Sequence, residues 1–300
     1  MKILKDKRLI NTIKWTVAIL SFFYLVYSIN KKIDQIDISF FKLKAISEQL
    51  ISFVLLLFLM GLNWFIESIK WKFALKNIQK ISLKTAISSV LAGISTGIFT
   101  PNRVGEFVGK IFFLEEDNRE KAISVNIIAS YSQLLVTILL GTFALLVASS
   151  SVLILVVVFL VVMYINITKI INWSINKLNI SFLGKVEFTN KTDLGILFLF
   201  SLFRYLVFLV QFIVSLKLVG ININLFASIK SIAAYYLYLA AIPTYAWSEL
   251  GVRGALAVKI FDTVTNNPLQ ILSASSLLWI VNIALPALIG LFFLLKEKKS

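Results

Sequence analysis

The sequence predicts an all-α polytopic membrane protein of about six transmembrane helices, plus two broken-helix hairpins that re-enter the membrane as an inverted repeat. Three observations predict it. Of 300 residues, 59% are hydrophobic and mean hydropathy is +0.89, where a soluble domain is about 45–50% apolar. Several apolar runs approach the ~20 residues that span a bilayer. Two further apolar runs carry prolines and charges, which a routine span excludes. Bare backbone and charge survive in hydrocarbon only where protein or a wet cavity surrounds them.

The chain begins with Lys2, Lys5, Lys7 and Arg8, then an apolar run from about Thr12 to Ile29. Tyr27 to Lys32 contains no small-x-small cleavage pattern, so the run is expected to stay as a first span. The second span is expected over about Ala45–Ile69. It runs into a basic cluster, Lys70, Lys72, Lys76, Lys80 and Lys84, with Trp64 and Trp71 suited to the interface.

The first broken segment covers about Thr85–Lys110. Gly93, Gly97, Pro101, Gly105 and Gly109 recur every four residues. At helical spacing this ladder offers a groove for close backbone contact, and the proline ends or kinks the first arm. The polar stretch Glu115 to Lys121 follows, so the hairpin is expected to enter from the cytoplasm and return. A third span is expected over about Ile123–Ala148 and a fourth over about Val152–Ile170. Lys169 to Asp193 reads as an amphipathic interfacial linker or as a plain surface loop. A fifth span, about Leu194–Val219, contains Arg204 and Gln211. The second broken segment, about Ser228–Lys259, contains Pro243, Glu249, Gly251, Arg253 and Gly254. The last span, about Ile271–Leu295, carries Pro286 and ends in Lys296-Glu-Lys-Lys-Ser300.

Expected cytoplasmic loops hold about 20 of the 30 Lys and Arg, which places both termini in the cytoplasm. Lys31, Lys32, Lys42 and Lys44, in the first outer loop, run against that assignment. The net charge of +15 thus reads as the positive-inside bias and as attraction to anionic headgroups. Nucleic acid is not an expected partner.

A shift of 142 positions lays Pro101 on Pro243, Ile87 on Ile229 and Gly109 on Gly251. The order span, span, broken segment, span occurs twice. The chain therefore reads as one membrane domain, residues 1–300, built of a first half 1–149 and a second half 150–300. An odd number of spans between the broken segments makes the repeat inverted, with the breaks meeting near the midplane.

The absence of His and Cys excludes His-based acid–base chemistry, cysteine nucleophiles and Cys/His zinc sites. No catalytic residue, metal ligand or cofactor is expected. The candidate substrate-binding residues are Thr100, Pro101, Arg103, Gly105 and Glu106 in the first broken segment. Pro243, Glu249, Gly251 and Arg253 are those of the second. Arg103 and Glu106 lie three apart around Gly105, and Glu249 and Arg253 lie four apart, so the second pair shares a face if helical. A guanidinium suits a lipid phosphate; the alternative for each pair is a structural ion pair. Glu67 reads as interfacial, and Arg204 as either functional or snorkelling. Asn63 and Gln211 read as interhelical hydrogen-bonding groups. Tyr235, Tyr236 and Tyr238 either line the second broken segment or belong to an aromatic belt.

The run Gly97-Ile-Phe-Thr-Pro-Asn-Arg-Val-Gly-Glu106 resembles the signature of the lysylphosphatidylglycerol synthase transmembrane region, a flippase-like family. Glu67 to Lys72 resembles its second-span ending. Pro243 to Gly254 resembles its second signature, with Gly254 where a Glu is the rule. The resemblance implies movement of a polar-headed (amino)phospholipid or related lipid between leaflets of the cytoplasmic membrane. The aminoacyltransferase domain that follows the membrane region in full synthases is not in this chain, so no lysyl transfer is expected. Two other readings stand beside it. One is a membrane-embedded enzyme on lipid phosphates, with Glu106 and Glu249 as acid and base or sharing Mg²⁺. The other is a non-catalytic partner of a separately encoded lipid-modifying enzyme. The expected partners are a membrane phospholipid, possible further copies of the chain, and that enzyme.

Overall fold

The structure is a computed structural model that describes residues 27, 46–98, 100, 103–145, 151–178, 183–186, 190–221, 224–244 and 246–297. The described residues form helices and no strand. The helices are α1 (Ile46–Ala74), α2 (Leu83–Ile98), α3 (Gly105–Ile111), α4 (Arg119–Leu145), α5 (Ser151–Ile165) and α6 (Ile167–Leu178). They continue as α7 (Lys191–Leu218), α8 (Leu225–Ala241), α9 (Ala246–Ile260), α10 (Pro268–Trp279) and α11 (Leu285–Glu297). Four stretches are long and apolar enough to cross a membrane: Gln49–Ala74, Glu116–Leu145, Lys191–Leu218 and Pro268–Leu295. The chain is a multi-pass membrane protein. Apart from Tyr27, its expected first span, Thr12–Ile29, and the first outer loop lie outside the described residues.

Local chemistry accounts for several boundaries. Asn224 caps α8 by accepting from Phe226 N at 2.9 Å, and Asn267 caps α10 ahead of Pro268 at its first position. A π-helical turn, Ile280–Ala284, separates α10 from α11. Pro286 has no N–H to give the Asn282 carbonyl four residues back; the indole of Trp64 donates to it instead, at 3.1 Å.

The fourth expected span differs from its expectation. α5 stops at Ile165, and α6 leaves it at 71°. Asn166, at the break, donates its side-chain amide to Val162 O at 2.9 Å, which competes with the helical ladder. α5 alone rises only ~22 Å at 1.5 Å per residue, short of a ~30 Å hydrocarbon core. α6 buries Ile167 and Ile171 and exposes Trp173, with Lys177 over the Trp173 ring. The start of the linker is thus an amphipathic helix and not a surface loop.

α1 and α7 pack antiparallel along their length. Leu56 O accepts from Gln211, Asn63 and Glu67 bind Arg204, and Lys76 meets Asp193 at 2.6 Å. The loops beside Lys76 and Asp193 define one end of the molecule. There Gln79 accepts from Glu115 N, and Ser124 donates to Gly184 O. The chain therefore leaves this end through α2 and returns to it after α3. The second hairpin, α8–α9, starts and finishes at the opposite end, where Phe261 stacks on Phe212 and Val219 and Ile221 pack with Ile271.

The 142-residue shift carries Leu83 and Ile98, the ends of α2, onto Leu225 and Ala240, within one residue of the ends of α8. Packing follows the same relation. A Cβ on Gly290 of α11 would fall on Leu91 O of α2, and one on Gly141 of α4 would meet Ala233 O and Leu237 of α8. Leu91 shifted by 142 is Ala233. α2 thus leans on α11 and α8 on α4, each through a glycine that no periodicity flagged.

Candidate functional site

The first hairpin is closed by glycine. A Cβ on Gly109 would sit 2.7 Å from Ala92 O, and one on Gly105 would sit 2.4 Å from Thr96 O. Gly93 faces Glu106 O in the same way, and Gly97 faces the Glu106 side chain. The ladder read as one helical stripe is therefore two stripes facing across the hairpin, which lets α2 and α3 touch backbone to backbone. Pro101, between them, lies outside the described residues.

The tip is held by hydroxyls. Thr100 Oγ1 donates to Gly97 O and accepts from Gly105 N at 2.7 Å, while Thr96 Oγ1 donates to Gly105 O. Arg103 follows at φ +58°, left-handed backbone that costs a non-glycine residue about 1–3 kcal/mol. That conformation turns its guanidinium toward Glu106, at 2.5 Å. Thr100 and Gly105 hold the tip, and Arg103 and Glu106 face the cavity described below.

The second hairpin is splayed. After α8 the chain runs through Ile242, Pro243 and Thr244 before α9 begins. A Cβ on Gly251 would meet nothing within 4 Å, unlike its counterpart Gly109. Arg253 Nε and Nη2 lie 2.9 and 2.7 Å from the same oxygen of Glu249, which is 3% exposed. The gap this leaves is a pocket of about 520 Å³ lined by Leu239 to Thr244, Glu249, Arg253 and, from the other hairpin, Arg103.

Beside it lies a cavity of about 250 Å³. Arg103 and Glu106 of the first hairpin, Arg253 of the second, and Glu67 and Arg204 of α1 and α7 reach its wall. Trp64, Tyr205, Phe208, Tyr235 and Tyr236 supply aromatic faces. Tyr235 and Tyr236 thus line the second hairpin's side of the cavity, whereas Tyr238 is exposed. The two spaces share Arg103, Leu239 and Arg253.

The sequence reading underrated the wall opposite the hairpins. Glu67 is buried inside the protein. It is 8% exposed and takes Arg204 Nη1 at 2.6 Å and Lys110 Nζ at 2.7 Å, with Lys70 Nζ at 3.9 Å. Lys70, assigned to a basic loop, is 2% exposed, because α1 continues to Ala74. Arg204 does not snorkel: Asn63 accepts from its Nε at 2.9 Å, and its guanidinium lies over the rings of Trp64 and Phe208. Trp71 is 1% exposed and donates to Ser89, so neither it nor Trp64 serves an interfacial belt. A lysine at the foot of a glycine hairpin was the available signal for Lys110; nothing local marked its partner 43 residues away.

Among the described residues, no group of three or more His, Cys, Asp or Glu could hold a metal ion. A family model described as lysylphosphatidylglycerol synthase TM region matches residues 13–290. No curated protein and no solved structure matches the chain.

Proposed function

The chain belongs to the lysylphosphatidylglycerol synthase TM region family, and from that premise we propose that it carries a phosphate-bearing lipid headgroup across the cytoplasmic membrane. The observation behind this reading is the cavity where Arg103 of one hairpin and Arg253 of the other share a wall with Arg204. Guanidinium groups bind phosphate oxygens with charge-assisted hydrogen bonds. The headgroup sits in the cavity and its acyl chains stay in lipid.

In this reading both hairpins are re-entrant and the halves 1–149 and 150–300 form an inverted repeat. The antiparallel run of α1 against α7 supports it, as do hairpins based at opposite ends of the molecule. The basic end, with Lys76, Lys80, Lys84, Arg119 and Lys121, faces the cytoplasm. The chain has no cysteine, so a Lys80→Cys variant is expected to react with an impermeant maleimide only from the cytoplasmic face; reaction only from outside would invert the topology.

The same groups argue against an enzyme. Glu106 and Glu249 are each paired with an arginine, so both carboxylates are occupied as ion-pair partners. We propose transport without catalysis. In proteoliposomes with fluorescent phospholipids, Arg103→Ala and Glu106→Ala are expected to abolish headgroup crossing while the protein still elutes as a folded species. Unchanged crossing in both would reject the reading.

A further inference from the structure

The charge of the headgroup is written in the walls of the cavity. Resting on the transport reading, we infer that the site takes a headgroup of net negative charge, a phosphate ester with no compensating amine.

Among the described residues, five cations converge there. Arg103, Arg204 and Arg253 are on the wall, and Lys70 and Lys110 stand behind Glu67. Three carboxylates oppose them: Glu67, Glu106 and Glu249. The excess is two positive charges, and one remains if Lys70, the most distant at 3.9 Å, is set aside. A buried cation without a counter-charge is costly, and an anionic ligand supplies one.

The carboxylates are also spoken for. Glu67 serves Arg204 and Lys110, Glu106 serves Arg103, and Glu249 serves Arg253. An ammonium group would have to share a carboxylate with a cation already in place. An aromatic face could receive one, but Arg204 already covers Trp64 and Phe208, while Tyr205, Tyr235 and Tyr236 are engaged edge-to-face with one another.

The unpartnered polar atoms on the wall are mostly donors, with the Asn282 Oδ1 acceptor beside them. Arg103 Nε and Nη2 are buried without a hydrogen-bond partner; the contact of Nη2 with Glu106 is one of charge, not of aligned N–H. The Tyr205 hydroxyl, also on the cavity wall, is buried and unpartnered. Phosphate oxygens are acceptors only, which is the complement of this set.

The test is binding and transport on the same purified protein. Native mass spectrometry would compare phosphatidylglycerol, phosphatidylcholine and lysyl-phosphatidylglycerol of matched acyl chains, with glycerol 3-phosphate as a soluble competitor. Proteoliposome crossing would use fluorescent versions of the three lipids. Phosphatidylglycerol is expected to bind at least tenfold tighter than the other two and to cross fastest. Gln133→Glu adds an anion beside Arg204, whose Nη1 lies 3.4 Å from Gln133 Oε1, at nearly constant shape. It is expected to cut the preference at least threefold. Equal or tighter binding of the zwitterionic or cationic lipid would overturn the inference and leave transport standing. Competition by glycerol 3-phosphate as strong as by the lipid would overturn the assignment to a lipid. Selective binding of the anionic lipid with no crossing of any lipid would uphold the inference and reject the transport reading.

Discussion

Glu67 is the counter-ion of Arg204 and Lys110 and lies near Lys70, so it links α1, α3 and α7. Replacing it with Gln keeps the shape and leaves buried cations unmatched. Breaking a buried pair in this way costs about 3–5 kcal/mol. Glu67→Gln is therefore expected to lower the midpoint of thermal unfolding in detergent markedly, and adding Lys110→Met is expected to recover part of the loss. A midpoint equal to that of the native chain would contradict the burial. Much of this was out of reach of the sequence. Glu67 and Arg204 are 137 positions apart, and only the antiparallel run of α1 on α7 brings them together. Arg103 and Glu106 were legible, because three residues and a proline put them at one turn. Lys70 misled, since a lysine beside four others reads as a loop until the helix is seen to continue past it.

At the scale of elements, the hairpins are built alike and closed differently. α2 and α3 are pressed together by facing glycines, while α8 and α9 diverge and leave the space lined by Pro243, Glu249 and Arg253. The sequence repeat predicts equal roles for Gly109 and Gly251, yet the structure gives the first a backbone carbonyl at 2.7 Å and the second open space. Gly109→Val is expected to force the hairpin apart and cost more than ~2 kcal/mol. Gly251→Ala is expected to fall within about 0.5 kcal/mol of native or to stabilise slightly, since alanine is the better helix former. Thermal unfolding of the two variants checks this; similar losses would mean that the hairpins close alike. The break of α5 at Asn166 was likewise illegible, because the apolar run continues through it and only a side-chain bond to Val162 O marks the bend.

At the scale of the whole molecule, the all-helical, multi-pass class followed from hydropathy and charge, because the bilayer tolerates few alternatives. The crossed packing did not, since Gly290 on Leu91 and Gly141 on Ala233 join positions with no sequence relation except the repeat itself. Those contacts hold the middle of α2 against α11 and the middle of α8 against α4, while Arg103 and Arg253 line one wall. If both arginines hold one phosphate, their losses are not independent. The most direct measurement is the initial rate of phosphatidylglycerol headgroup crossing in proteoliposomes for the native chain, Arg103→Ala, Arg253→Ala and the double variant. One shared site predicts that each single variant loses at least tenfold and that the double variant loses little more than the worse single. Native rates in the single variants, or losses that multiply in the double, would contradict it.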